Sequence, residues 1–294
     1  MSAERPARPV EDAGAAILSL AWPIDLALTV VSHGWVQLAP WCWDAESAVL
    51  SRTERIGGRI GKVAVAQSGP TSMAVRWDGF SDADRPEILR RVGRWLSADW
   101  EPSAAIAALG GAPAALIARG GGRLLRGSSF YEDFAKTVLT INTAWSATCR
   151  MAAALVEAPG GGAFPDPGAV LDYGEERLRR EARLGFRAAT LYAATARLLA
   201  EGAIGPDGEG QPDRLGHDYL LGLKGIGPYA AAHCRLLLHD FARIPIDSVV
   251  TAHLRARFDL APEAFIADRA AWGPYLALGY RLLRLGERLE PGRS

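Results

Sequence analysis

Apolar and polar positions alternate with a period near two over the first third of the chain, which predicts short strands. Ile24–Val31 alternates in part and reads as a strand. Lys62–Gly69 (KVAVAQSG) and Thr71–Gly79 (TSMAVRWDG) are β-rich runs bounded by glycine and proline. Trp35, Trp41, Trp43 and Trp77 crowd the same region. From about Ser81 the period lengthens. The run DADRPEILRRVGRWL opens with acids and spaces Ile88, Leu89, Val92, Trp95 and Leu96 as one helical face.

Gly120–Gly122 reads as a flexible join, and beyond it the pattern is helical throughout. Ser129–Asn142 and Trp145–Ala158 predict two helices broken around Asn142–Trp145. Glu175–Gly202 predicts a helical stretch interrupted near Gly185. Gly160–Gly162 and Ala203–Pro212 are loops. The expected fold class is α+β, mainly α, with an N-terminal antiparallel sheet followed by a helical body. The predicted organisation is a flexible tail over 1–20, a sheet domain with flanking helices over 21–118, a helical domain over 119–215 and a final helical domain over 216–294.

Composition narrows the function classes. The 294 residues are 49% hydrophobic and 22% charged, as in a water-soluble globular protein. No run approaches the ~18 apolar residues of a membrane span. The first residues lack the charged-then-apolar order of a signal peptide. Cys42, Cys149 and Cys234 are scattered, which suits a reducing cytoplasm and core positions. Net charge is zero, so bulk electrostatics gives no argument for nucleic acid. The lysines are Lys62, Lys136 and Lys224, so amine chemistry has few candidates. The histidines show no HExxH spacing, and no GxSxG elbow is present.

The densest chemistry lies in LKGIGPYAAAHCRLLLHDFARIPIDSVV, from Leu223 to Val250. Gly225 and Gly227 permit a tight turn that leaves backbone N–H groups pointing outward at a helix N-terminus, a place for a phosphate. Ile226 would plug between the two helices. The following helix, with Ala230, Cys234, Leu237 or Leu238 and Phe241 on one face, would run about twelve residues, or ~18 Å. Ala242–Ile246 can extend ~17 Å, enough to return Asp247 beside Tyr229. Asp247 suits a helix N-cap. The same position would keep a carboxylate ionised beside a phosphate clamp.

This stretch resembles the helix–hairpin–helix DNA glycosylases, in particular the 8-oxoguanine and 3-methyladenine branches without an iron–sulfur cluster. PIDLALTVVSHGWVQLAPW, RLLRGSSFYEDFAKTVLTINTAWSATCRM, LGFRAATLYAATARLLAEG and WGPYLALGYRLL extend the similarity from Ile24 to Leu285 in the family's order. The resemblance implies a two-lobed helical body with a hairpin that clamps DNA through Gly225, Ile226 and Gly227, with room for a structural monovalent cation. It implies Asp247 as the catalytic carboxylate, and Asn142 and Thr143 in the gap left by a flipped nucleotide. Tyr229 stands where bifunctional members carry a Schiff-base lysine, and a phenol cannot form one. The implied enzyme is therefore monofunctional, releasing a base by hydrolysis without strand cleavage and without a cofactor. Its partner would be double-stranded DNA containing a modified base, with no membrane, and the enzyme a monomer in a bacterial cytoplasm.

Tyr229, Trp145, Trp272 and Tyr280 are candidates for the base pocket, each equally readable as core. Arg119, Arg123, Arg126, Arg255 and Arg257 are candidate phosphate contacts. Tyr280 replaces the base-reading glutamine of the 8-oxoguanine branch and Val249 its histidine. Both departures argue against ordinary 8-oxoguanine specificity and leave aromatic stacking on an alkylated base as an attractive reading. The rival class is a non-catalytic helix–hairpin–helix protein that binds distorted DNA, for which Asp247 would be dispensable.

Overall fold

The computed structural model describes residues 12–289. Strands β1 (Ala13–Ser19), β2 (Trp41–Asp44), β3 (Val49–Ile56), β4 (Arg59–Gly69) and β5 (Ser72–Asp78) form one antiparallel sheet, ordered β1-β5-β4-β3-β2. Alternation buries Val63 and Val65 of β4 and Met73, Val75 and Trp77 of β5 on one face. The predicted tail over 1–20 is corrected in part. Ala13–Ser19 pairs along its whole length with β5, from Ala13 opposite Asp78 to Ser19 opposite Ser72. Residues 1–11 of the predicted tail lie outside the described residues.

The run Ile24–Val31, expected as a strand, is instead helix α1 (Leu26–Val30). Asp25 explains the difference, because its carboxylate accepts the Leu28 N–H at 2.9 Å and caps the helix. Helix α2 (Arg85–Trp95) follows the sheet as its periodicity predicts. Helices α3 (Ser103–Leu109) and α4 (Gly111–Ala118) come next. The Gly120–Gly122 join is buried and rigidly placed. Gly120 has φ +92°, and a Cβ there would meet Asp25 N at 2.5 Å, so the chain crosses α1 at backbone distance.

Helix α5 (Phe130–Leu139) is buried on every side, so it forms the axis of the molecule. Its charged residues are matched by partners, as burial requires. Glu132 accepts from Arg52 at 2.8 and 2.9 Å and from Lys136 at 2.7 Å. Asp133 accepts from Trp35, Arg94 and Gly127 at 2.9, 2.9 and 2.7 Å. Around α5 lie α6 (Trp145–Glu157), α7 (Pro167–Tyr173), α8 (Glu175–Arg180) and α9 (Arg187–Ala200). The break between α5 and α6 falls where predicted, with Asn142 at φ +47°.

The last part of the chain contains α10 (His217–Leu221), α11 (Pro228–Leu236), α12 (Ser248–Phe258), α13 (Pro262–Asp268) and α14 (Leu276–Leu289). Helix α11 is nine residues long, shorter than the twelve expected. The chain tightens after it, with the His239 N–H reaching Leu236 O at 3.0 Å and His239 at φ +64°. Arg235 holds that corner by pairing with Asp240 at 3.0 Å. Helix α14 packs against α4, which closes the C-terminal part of the chain onto the N-terminal part. No helix among the described residues is long and apolar enough to cross a membrane.

Candidate active site

The turn between α10 and α11 is the expected hairpin. Gly225 has φ +86°, and a Cβ there would lie 2.5 Å from Thr190 Oγ1, so glycine is required by both backbone and packing. Ile226 is buried between the helices, as predicted. Gly227 is different. It is extended (φ −96°, ψ −179°), and a Cβ there would meet nothing within 4 Å. No side chain caps α11. Among the described residues no acceptor meets the N–H of Gly225, Gly227 or Tyr229.

The return loop behaves as its length predicts. Ala242–Ile246 brings Asp247 back so that it and Tyr229 line one cavity of about 810 Å³. Asp247 caps α12, one carboxylate oxygen accepting the Val250 N–H at 2.7 Å. Its other oxygen has no donor among the described residues, and the residue is half-buried. Tyr229 lies between Thr140, whose hydroxyl is 3.3 Å from its own, and the ring of His233, on which it stacks. Burial, and secondarily the Asp247 carboxylate, push its phenol above the usual pKa.

The cavity wall was largely missed by sequence reasoning. His33, Trp35 and His233 form an aromatic cluster, with ring centroids 4.7 Å apart for His33 and Trp35 and 4.9 Å apart for Trp35 and His233. Asp133 anchors the Trp35 indole from behind. His233 Nδ1 lies 3.0 Å from the Thr137 hydroxyl, which itself donates to Asp133 O at 2.8 Å. The proton between His233 and Thr137 therefore belongs to Nδ1, and Nε2 is left as an acceptor. Burial lowers the His233 pKa to about 3 and holds His33 well below its ordinary value. Both rings are neutral at physiological pH.

Of the predicted pocket residues, Trp145 and Tyr280 also line the cavity. The Trp145 indole covers Gly34, donates to Gln37 Oε1 at 2.6 Å and remains 38% exposed at the rim. Tyr280 is buried, with its hydroxyl 3.2 Å from His253 Nδ1. Since His253 Nε2 lies 2.9 Å from Glu287, the chain Glu287–His253–Tyr280 fixes the phenol from behind. Trp272 does not join them. It packs edge-on against Phe265 and lies against α14 over Gly279, outside the cavity lining.

The arginines expected at phosphates divide by burial. Arg126 is 4% exposed, bonded to Asp99 and to the Arg94 carbonyl, with its pKa lowered to about 10 by burial. It is a packing residue and cannot meet a phosphate. Arg123 is likewise buried, holding the Ser97 and Trp100 carbonyls. Arg119 and Arg255 are exposed. Arg257 pairs with Glu287 at 3.0 Å. Asn142 is exposed in the α5–α6 break and Thr143 is half-buried. The Ile141 and Asn142 carbonyls are held by Arg187. Sequence reasoning also missed Arg281, Arg284 and Arg288, which line the cavity from α14. Their 3-and-4 spacing in RLLRLGER was the available signal. No lysine lines the cavity, and among the described residues no His, Cys, Asp or Glu cluster is arranged to hold a metal ion.

No protein-family model and no curated protein matches the chain. Solved structures do. A 3-methyladenine DNA glycosylase from Archaeoglobus fulgidus superposes at TM-score 0.68 with 18% identity, over 92% of this chain and 98% of that one. The apo form of an 8-oxoguanine glycosylase/lyase from Clostridium acetobutylicum gives 0.65 with 14% identity, over 92% and 95%. The same enzyme with double-stranded DNA containing cytosine opposite 8-oxoguanine gives 0.63 with 14% identity, over 94% and 98%. The N-terminal sheet and the helical body, with the hairpin between α10 and α11, make the fold that these DNA glycosylase structures share.

Proposed function

We propose that the protein is a monofunctional DNA glycosylase that extrudes a modified base and hydrolyses its N-glycosidic bond. The observation that carries this reading is a half-free carboxylate, Asp247, set with Tyr229 of the first turn of α11 on one cavity large enough for a base. The DNA and lesions named for similarly folded enzymes support it. The C1′–N bond breaks with its electron pair leaving on the base nitrogen. The Asp247 carboxylate stabilises the cationic sugar, and water adds to C1′ and yields its proton to that carboxylate. A phenol at Tyr229 and a cavity without lysine favour hydrolysis over lyase chemistry.

Duplexes carrying single modified bases, treated with alkali after incubation, report abasic-site formation. Asp247→Asn keeps a good N-cap and is expected to slow release by about 10³-fold. That corresponds to about 4 kcal/mol for a charge ~4 Å from the sugar at an effective dielectric of 20. A rate near wild type refutes the mechanism. Tight DNA binding with no abasic sites on any duplex points instead to a non-catalytic sensor of DNA structure. Borohydride is expected to trap no covalent complex.

A further inference from the structure

The cavity carries positive charge that the described residues do not neutralise. Arg281, Arg284 and Arg288 stand at i, i+3 and i+7, hence on one face of α14, and all three line the cavity. Among the described residues none of them forms a salt bridge. The acid on the same helix, Glu287, turns to His253 and Arg257 instead. Arg281 sits deepest. One amino group donates to Ser32 O at 3.3 Å, and Nε is buried without an acceptor. An arginine held against apolar walls with open donors is unfavourable unless something supplies acceptors.

The placement of Arg281 says what that something is. Tyr229, Asp247 and Arg281 line the same cavity, and the Tyr229 phenol feels both the carboxylate and the guanidinium. A nucleotide with its sugar at Asp247 therefore places its base in the cavity that Tyr229 and Arg281 also line. The walls beside Arg281 are the neutral rings of His33 and His233, with Trp35. Asp247, the one carboxylate lining the cavity among the described residues, is engaged at the sugar.

Resting on the glycosylase reading, we infer that the excised base is uncharged and presents a carbonyl-type acceptor edge to Arg281, and that cationic N-alkylpurines are rejected. A guanidinium matches an edge of paired acceptors, as in arginine on the O6/N7 edge of guanine. It opposes an amino edge donor to donor. A cationic base gains from aromatic walls, but here it shares a low-dielectric cavity with an arginine and no spare carboxylate. The aromatic lining, which taken alone favours alkylated bases, is thus overruled by the charge next to it. Oxidised or deaminated bases with exocyclic oxygens are the matching class.

The test uses duplexes that differ in one nucleotide, with hypoxanthine, uracil or 8-oxoguanine on one arm and 7-methylguanine or 3-methyladenine on the other. Rates are expressed as enhancement over spontaneous loss, because the cationic bases depart readily by themselves. At least one oxo-base is expected to show an enhancement 100-fold or more above either cationic base. Arg281→Met should lower the oxo-base enhancement about 100-fold and raise that on 7-methylguanine, a change of selectivity that a folding defect would not produce. Arg281→Gln, which keeps a neutral donor, should fall between the two. Equal or greater enhancement on the cationic bases overturns the inference and leaves the glycosylase reading intact. No release on either arm overturns both.

Discussion

The contrast between the two hairpin glycines gives a sharp prediction, because one is required by the protein and the other is not. At Gly227 the backbone is extended and the space around a Cβ is empty. Gly227→Ala should therefore stabilise the free protein by about 0.4–1 kcal/mol, through the lower entropy of the unfolded chain. The expected rise in Tm is about 1–2 °C. At Gly225 the backbone is left-handed and Thr190 lies at 2.5 Å. Gly225→Ala combines conformational strain of about 1–2 kcal/mol with overpacking of about 1–3 kcal/mol. DNA binding should run the other way for Gly227. A methyl group beside an N–H that holds a phosphate displaces that contact. Losing one hydrogen bond to a charged group, about 1.5–3 kcal/mol, weakens binding about tenfold or more. Thermal unfolding and fluorescence anisotropy with an abasic-site duplex, at one fixed salt concentration, measure the two quantities. A Gly227→Ala protein that is more stable and binds DNA as wild type does refutes the phosphate clamp.

Other outcomes follow from burial and charge. His233 has a folded pKa of about 3, below its unfolded value of about 6.5. The unfolded state takes up the proton first, so stability is present above pH 6.5 and is lost as pH falls. At pH 5 this loss is about 2 kcal/mol. Urea unfolding at pH 7.5 and 5 should show wild type losing more than His233→Gln by about that amount, and equal losses contradict the assignment. Arg126→Met should cost about 1–3 kcal/mol of stability yet leave the salt dependence of DNA binding unchanged. Arg255→Met, at an exposed site, should leave stability unchanged and reduce the salt slope by about 0.9 if that side chain meets a phosphate.

What the sequence revealed follows the reach of each interaction. The stretch from Gly225 to Asp247 was readable because a glycine turn, a helix of known rise and a short return loop determine one another locally. The break at Asn142 was readable for the same reason. Ile24–Val31 misled because its alternation was weaker than a single capping carboxylate, Asp25. Arg126 misled because a lone arginine in sequence says nothing of the Asp99 and backbone carbonyl that enclose it. His33 and His233 meet only through the tertiary fold, 200 residues apart in the chain and 6.0 Å apart between ring centroids. The arginine face of α14 was visible as a spacing, but the direction in which it points depends on α4 packing beneath the helix.

The bond from Arg281 to Ser32 O joins residues 249 positions apart, and it divides labour along the chain. The hairpin and Asp247 occupy one short contiguous segment. The surfaces that would judge the base come from the loop after α1 and from α14, two segments far apart in sequence. On the proposed function, substitutions in those two distant segments would retune which lesion is accepted while the segment carrying Asp247 stays untouched. Such a layout lets selectivity drift through point changes without a passage through inactive intermediates.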